Sequence, residues 1–352
     1  MILDTEIVNR GRQPELDVAR AISCILMVVC HVGLYVGFAN SEFLNTFSEV
    51  VGAEFAAPVF MALMGIGICY SGHSTPRQMA VRGLKLLLMG YMLGFVRQGI
   101  PMLIFGRTEP FFTVKNIFEV DILQFAGLAM MAVALFRKLK VPTIAVFMLS
   151  VVFVGIGESL SFVSTGAMWS DLIADLLWGA NEFASFSFLH WFFYVAFGML
   201  FGEILQHCSD KRRLYRTLLP VSAVGVAFVY TELAIYDVSY YNASNYYFMG
   251  VKNAVFALFY VLFLFSVSWF LSGILKPGAM KVFGNLSRCL NPIYCISWIL
   301  IYYLAAPMLH FGFRFPDWVI YVLMAVITVV SYFLAVAYVG FKKKHFVKKK
   351  EN

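Results

Sequence analysis

Ten stretches of about twenty mostly apolar residues run through this chain, and nothing else in it restricts the fold so strongly. They fall at roughly 16–38, 52–72, 83–105, 118–136, 141–160, 186–206, 217–236, 250–274, 287–309 and 317–341. A helix needs about 20 such residues to cross the hydrocarbon of a bilayer. With 61% of residues hydrophobic and 13% charged, the chain departs from soluble composition in both directions. The expected fold class is therefore all-α, a polytopic membrane helical bundle of about ten transmembrane helices. It reads as one integral-membrane domain over 1–352, with a short N-terminal segment, 1–15, and a basic tail, 342–352.

Orientation follows from the basic residues. With ten spans both termini lie on one side. Of the 27 Lys and Arg, only Arg97, Arg107, Lys115, Lys252 and Arg314 fall on the other. Positive charge is retained in the cytoplasm, so both termini are expected there, in the plasma (inner) membrane. The same clustering explains the net charge of +7 without nucleic acid. The first fifteen residues are polar and show no cleavage pattern, so the first span reads as an uncleaved anchor. Six scattered cysteines lack Cys-x-x-Cys spacing and read as small buried hydrophobes. The six histidines are equally dispersed, so no metal site is expected.

Ionisable groups inside spans are costly and mark function. The first span holds Asp17, Arg20 and His31. Eleven residues at about 100° each bring His31 to within about 20° of Arg20, and about 16 Å further along the axis. A cation near the cytoplasm suits a phosphate-bearing donor, and a histidine deeper on the same face suits proton transfer. The plain alternative is that Arg20 pairs with Asp17 three residues away and His31 bonds a neighbouring helix. Glu54, Arg97, Glu119, Asp121, Gln124, Glu158 and His190 lie at the outer ends of other spans. A carboxylate beside His31 would fix its tautomer, and Asp121 and Glu54 are the candidates. On the inner side stand Arg77, Arg82 and Lys85, then Asn285, Ser287 and Arg288; Arg82 and Lys85 are the candidates to grip phosphates.

Two outer connections stand out. Residues 161–185 carry Asp171, Asp175 and Glu182 and suit a lid or short re-entrant piece. The Tyr- and Asn-rich segment 237–249 suits an interfacial belt or a sugar-stacking surface.

Four segments resemble a known group. ELDVARAISCILMVVCH (15–31) resembles the opening helix of the acyltransferase-3 superfamily of membrane acyltransferases, marked by an arginine, ten residues and a histidine. FAAPVFMALMGIGICYS (55–71) is similar to the branch of heparan-α-glucosaminide N-acetyltransferase, as is the basic stretch Arg82 to Lys85 followed by VDILQFAGL (120–128). FGNLSRCLNPIYCISW (283–298) resembles a late-helix pattern of the group. Two positions depart from it: Arg77 and Arg82 are five apart rather than a tight pair, and Ser297 stands where a histidine is common.

The resemblance implies acyl transfer from cytoplasmic acyl-CoA, commonly acetyl-CoA, to a glycan or other polar acceptor at the outer face. His31 would act as general base or carry the acyl group. Arg20, Arg82 and Lys85 would hold the donor. Two other functions compete. A secondary transporter of a small polar solute should show paired broken helices, for which only Asn291-Pro292 is a candidate. A passive scaffold would have no use for so many ionisable groups within its spans.

Overall fold

A computed structural model describes residues 3–37, 52–71, 75–107, 112–181, 184–236 and 246–347. Glu182, most of the Tyr/Asn-rich segment 237–249 and the end of the basic tail lie outside the described residues.

Helices fill all ten expected windows. In chain order they are α1 (Pro14–Tyr35), α2 (Glu54–Tyr70), α3 (Pro76–Gly94), a π-helical turn (Phe95–Gly99) and α4 (Ile100–Phe105). Then come α5 (Val114–Ile117), α6 (Ile122–Lys138), α7 (Thr143–Leu160), α8 (Met168–Leu177), α9 (Phe188–His207) and α10 (Lys211–Tyr236). Last are α11 (Val251–Ile274), α12 (Pro277–Arg288), α13 (Leu290–Phe311), α14 (Asp317–Lys342) and a second π turn (Lys343–Val347). Among the described residues there is no strand, only the isolated bridges Leu3–Cys208 and Val120–Ala184. Among the described residues, eight helices are long and apolar enough to cross a membrane. The α2 and α6 helices fall just short, at 17 residues each. This is the expected polytopic membrane bundle.

The helix starts follow local chemistry. Thr75 and Gln78 form a capping box ahead of Pro76, which occupies the first turn of α3. Asp121 and Gln124 do the same for α6. Pro292, the suspected helix break, sits in the first turn of α13, where a proline costs no hydrogen bond. All six cysteines are free thiols, four of them buried.

The chain divides into two compact units. The first comprises Met1–Arg12, Ala57–Phe95 and Val114–Val267. Small residues set its helix crossings. A Cβ on Gly83 would lie 2.5 Å from the Gly127 carbonyl oxygen, and a Cβ on Gly127 would lie 2.6 Å from the Gly83 carbonyl oxygen, both main chain that cannot move aside. Gly198 likewise leaves room for the Ala62 carbonyl. Such contact lets backbones approach where lipid offers no hydrophobic drive to association. Around them packs an aromatic layer that includes Phe188 stacked on Phe192 at 4.8 Å. The connection after α7 carries the short helix α8. Asp171 there accepts hydrogen bonds from Ser164 Oγ and from Thr165 N and Oγ1, each at 2.7 Å, and Asp175 accepts from Asn181 N at 2.8 Å.

The second unit comprises Gln13–Ala56, Val96–Thr113 and Ser268–Asn352. Helix α1 is its centre, packed against α12, α13 and α14. Ser23, wholly buried on α1, donates to the Phe55 carbonyl at 2.6 Å.

Candidate functional site

Helix α1 is unbroken from Pro14 to Tyr35, so the rotation that aligns Arg20 with His31 applies to it. Their neighbours agree. Arg20 meets α12 and His31 meets α13, two elements consecutive in the chain. In the second turn of α1, Arg20 Nη1 donates to Ser287 Oγ at 2.9 Å, and Ser287 Oγ donates to Asp17 Oδ1 at 2.6 Å. Arg20 and Asp17 are themselves 3.9 Å apart. The Arg20–Asp17 pair anticipated from spacing therefore forms, with a serine from another helix between its members. A partly exposed ion pair of this kind is worth at most about 1 kcal/mol, so the cluster does more to place the guanidinium than to stabilise the fold.

About three turns further along α1, half-buried His31 stacks on Trp298 of α13, with ring centroids 4.0 Å apart and planes inclined by 24°. Tyr35, one turn further along α1, sets its edge against Trp298 at 5.1 Å and lies 5.1 Å from Tyr302. On α13 the residues Tyr294, Trp298 and Tyr302 are four apart and form one stripe. The π turn brings two further polar side chains to the stripe. Arg97 Cζ lies 4.4 Å from the Trp298 ring and 5.2 Å from the Tyr302 ring. Gln98 Nε2 donates to Tyr302 Oη at 3.0 Å. Both side chains are buried, Arg97 at 2% exposure. A guanidinium tolerates such a place better than an ammonium, because it is more weakly hydrated and stacks on aromatic faces. Among the described residues, the Trp298 indole N–H has no acceptor. A buried donor in that state costs about 1–3 kcal/mol.

Glu54 belongs to the same unit and is 1% exposed, at the first turn of α2. Its burial means that a neutralising or hydrogen-bonding partner is required. Ser297, at the position where a histidine is common, donates to the Tyr294 carbonyl at 3.0 Å, an ordinary back-bond within its own helix.

The remaining candidates belong to the first unit. Arg82 and Lys85 are exposed on α3. Arg82 lines a pocket of about 210 Å³ with Met64, Gly67, Ile68, Met79 and Met130. Asp121 is the N-cap of α6: its Oδ1 accepts from Ile122 N at 2.7 Å. Gln124 bonds the Glu119 carbonyl at 3.0 Å, and Glu119 accepts from Ser185 Oγ at 3.1 Å. His190 is wholly buried, with Nδ1 2.9 Å from the Met249 carbonyl and Nε2 3.2 Å from Ser161 Oγ. A carbonyl can only accept, so Nδ1 carries a proton. Among the described residues no three His, Cys, Asp or Glu side chains gather as a metal site would require.

Sequence reasoning passed over Trp298, Tyr302 and Gln98. The four-residue spacing of Tyr294, Trp298 and Tyr302 was the available signal. It is hard to weigh in a chain with 36 Phe, 18 Tyr and 6 Trp.

Comparison with curated proteins and with solved structures gives no match. A family model does match: heparan-alpha-glucosaminide N-acetyltransferase, catalytic, over residues 12–239. That span covers α1 with Arg20 and His31, the basic start of α3, and Asp121. With well over half of its length matched and an all-helical membrane architecture, the chain belongs to the catalytic family of heparan-α-glucosaminide N-acetyltransferase, a family of membrane acetyltransferases.

Proposed function

We propose that this protein moves an acetyl group from cytoplasmic acetyl-CoA to the amine or hydroxyl of a sugar presented at the outer face of the plasma membrane. The observation that carries the reading is the pairing on α1. A guanidinium tied to α12 and an imidazole stacked on α13 lie along one face of one helix, about 16 Å apart. That separation suits a long donor whose phosphates and reactive thioester are at opposite ends. The distribution of Lys and Arg supports cytoplasmic termini, and so places Arg20 at the inner end. The likeness of 15–31 to the acyltransferase-3 opening helix points the same way.

In this reading Arg20 holds a donor phosphate. Arg82 and Lys85, exposed on α3 of the first unit, are proposed separately as cations able to bind phosphate. The Met-lined pocket beside Arg82 suits an apolar group of a ligand. His31 is the general base: it takes the proton of the attacking amine or hydroxyl and returns it to the leaving thiolate. Glu54, buried in the same unit, is the carboxylate that supports the imidazolium. Asp121 of the first unit is proposed separately as a catalytic carboxylate, in addition to its work as a helix cap.

The test is transfer of labelled acetyl from acetyl-CoA to glucosamine, with glucose as the hydroxyl counterpart, by purified protein in nanodiscs. Transfer by the wild type and none by His31→Ala is the expected result. A folded His31→Ala variant with normal transfer would remove His31 from the reaction. Direct transfer also requires both substrates to be bound together, so initial rates should follow sequential rather than ping-pong kinetics.

A further inference from the structure

The Trp298 side chain is 3% exposed, and its indole N–H has no hydrogen-bond acceptor among the described residues. Native structures leave few buried donors in this condition, and each calls for an explanation, a catalytic role being one. The ring cannot readily turn to find another partner. His31 stacks on it, Arg97 lies 4.4 Å from its centroid, and Tyr35 and Tyr302 lie at 5.1 and 5.3 Å. The direction of the N–H is therefore set by packing. The Arg97 cation also acts on its strength: a positive charge over an indole draws on the π electrons and makes the N–H a better donor.

We propose that Trp298 is a catalytic residue whose Nε1–H donates a hydrogen bond to the carbonyl oxygen of the donor thioester as that oxygen becomes negative. The proposal rests on His31 being the general base. The acceptor amine or hydroxyl attacks the thioester carbon, and His31 takes its proton. The carbonyl π pair moves onto oxygen, where the Trp298 N–H receives it. The pair then returns, the C–S bond breaks, and the sulfur leaves with the proton from His31. No other reactant is needed. A donor held rigid in a water-poor site and aimed at developing charge is the arrangement that lowers an acyl-transfer barrier most. Trp298 lies outside the region matched by the family model, which ends at residue 239.

Two side chains separate the N–H from the ring. Trp298→Phe removes the N–H and part of the stacking surface. Benzothienylalanine installed at position 298 replaces the N–H by sulfur and keeps both rings. Each variant, in nanodiscs, is assayed for coenzyme A release from acetyl-CoA with glucosamine, alongside a thermal melt and His31→Ala. Both position-298 variants should lose about 10²- to 10³-fold in kcat, with the KM for acetyl-CoA and the melting midpoint nearly unchanged for the benzothienyl protein. If Trp298→Phe unfolds, the benzothienyl protein alone decides. Wild-type kcat in the benzothienyl protein overturns the donor role, whatever Trp298→Phe does. That result with an inactive, folded His31→Ala sinks the Trp298 proposal and leaves the base intact. An active His31→Ala, or a wild type that releases no coenzyme A, sinks both.

Discussion

Both units bury ionisable side chains, but they engage them differently. In the first unit several of these groups hold a main-chain partner. Asp121 caps Ile122 N, Arg137 donates to the Ile68 carbonyl, Asp175 accepts from Asn181 N, and His190 is fixed by the Met249 carbonyl. In the second unit Arg20 meets Ser287 and Asp17, His31 stacks on Trp298, and Arg97 lies over Trp298 and Tyr302. A side chain bonded to backbone satisfies a group that folding has stranded, and this is structural work. Side chains gathered on one another satisfy no such need, and the arrangement is worth its desolvation only if something uses it. Under the proposed function, the contrast divides groups that hold the fold from groups that serve the reaction.

The two histidines offer the largest test of that contrast. His31→Ala should lower acetyl transfer by about 10²- to 10⁴-fold, the usual worth of a general base, with the melting midpoint nearly kept. His190→Ala should do the reverse: it strands the Met249 carbonyl and lowers stability by about 1–3 kcal/mol, while turnover per folded molecule persists. Equal losses of activity in the two variants would erase the distinction.

Asp121 sharpens it, because its cap and its charge can be separated. Asn caps a helix about as well as Asp does, whereas Ala costs about 1 kcal/mol. Asp121→Asn should therefore melt like the wild type and Asp121→Ala below it. If the charge also serves the reaction, turnover falls in both; full turnover by Asp121→Asn would leave the residue purely a cap.

The smallest effect concerns the loop around α8. Hydrogen bonds from Ser164 and Thr165 hold the Asp171 pKa below its ordinary 3.8. Its contribution to loop order is present above that value and lost as the pH falls through the folded pKa. Burial moves Asp175 the other way, so the folded loop keeps its proton to higher pH than the unfolded chain. That contribution is present at low pH and fades as the pH rises through the folded value. Limited proteolysis of 161–181 across the acid range should show faster cleavage at the lowest pH in the wild type. Asp171→Asn should flatten that rise, and a pH profile identical to the wild type would show that the three bonds to Asp171 do not order the loop.

Much of this was legible in the sequence. All ten apolar windows hold helices, because hydropathy over twenty residues reports burial in lipid directly. The Arg20–Asp17 pairing followed from spacing alone. What escaped is what depends on facing. When a helix is apolar all round, its periodicity does not tell which side meets a neighbour, so the Tyr294–Trp298–Tyr302 stripe was hidden among lipid-facing aromatics. Ser287 and Arg288 stand out as polar residues before the ninth span, but no spacing shows that helix α12 turns Ser287 onto Arg20. The turn at Phe95–Gly99 has no compositional mark, because a π bulge is one residue added to an otherwise normal helix. For the capping pairs a signal existed in Thr75-x-x-Gln78 and Asp121-x-x-Gln124, and it placed the helix starts more finely than hydropathy could.

That wide turn makes the chain intolerant of a kind of change that point substitution does not probe. Deleting any one residue between Phe95 and Gly99 would let the segment close into regular α-helix with its composition almost untouched. Side chains on one side of the cut would then swing by about 100° around the axis. Arg97 and Gln98 would leave Trp298 and Tyr302 together, at no loss of hydrophobicity. Relatives that carry an aromatic cradle like this one should therefore keep the residue count of this stretch even where they change its letters.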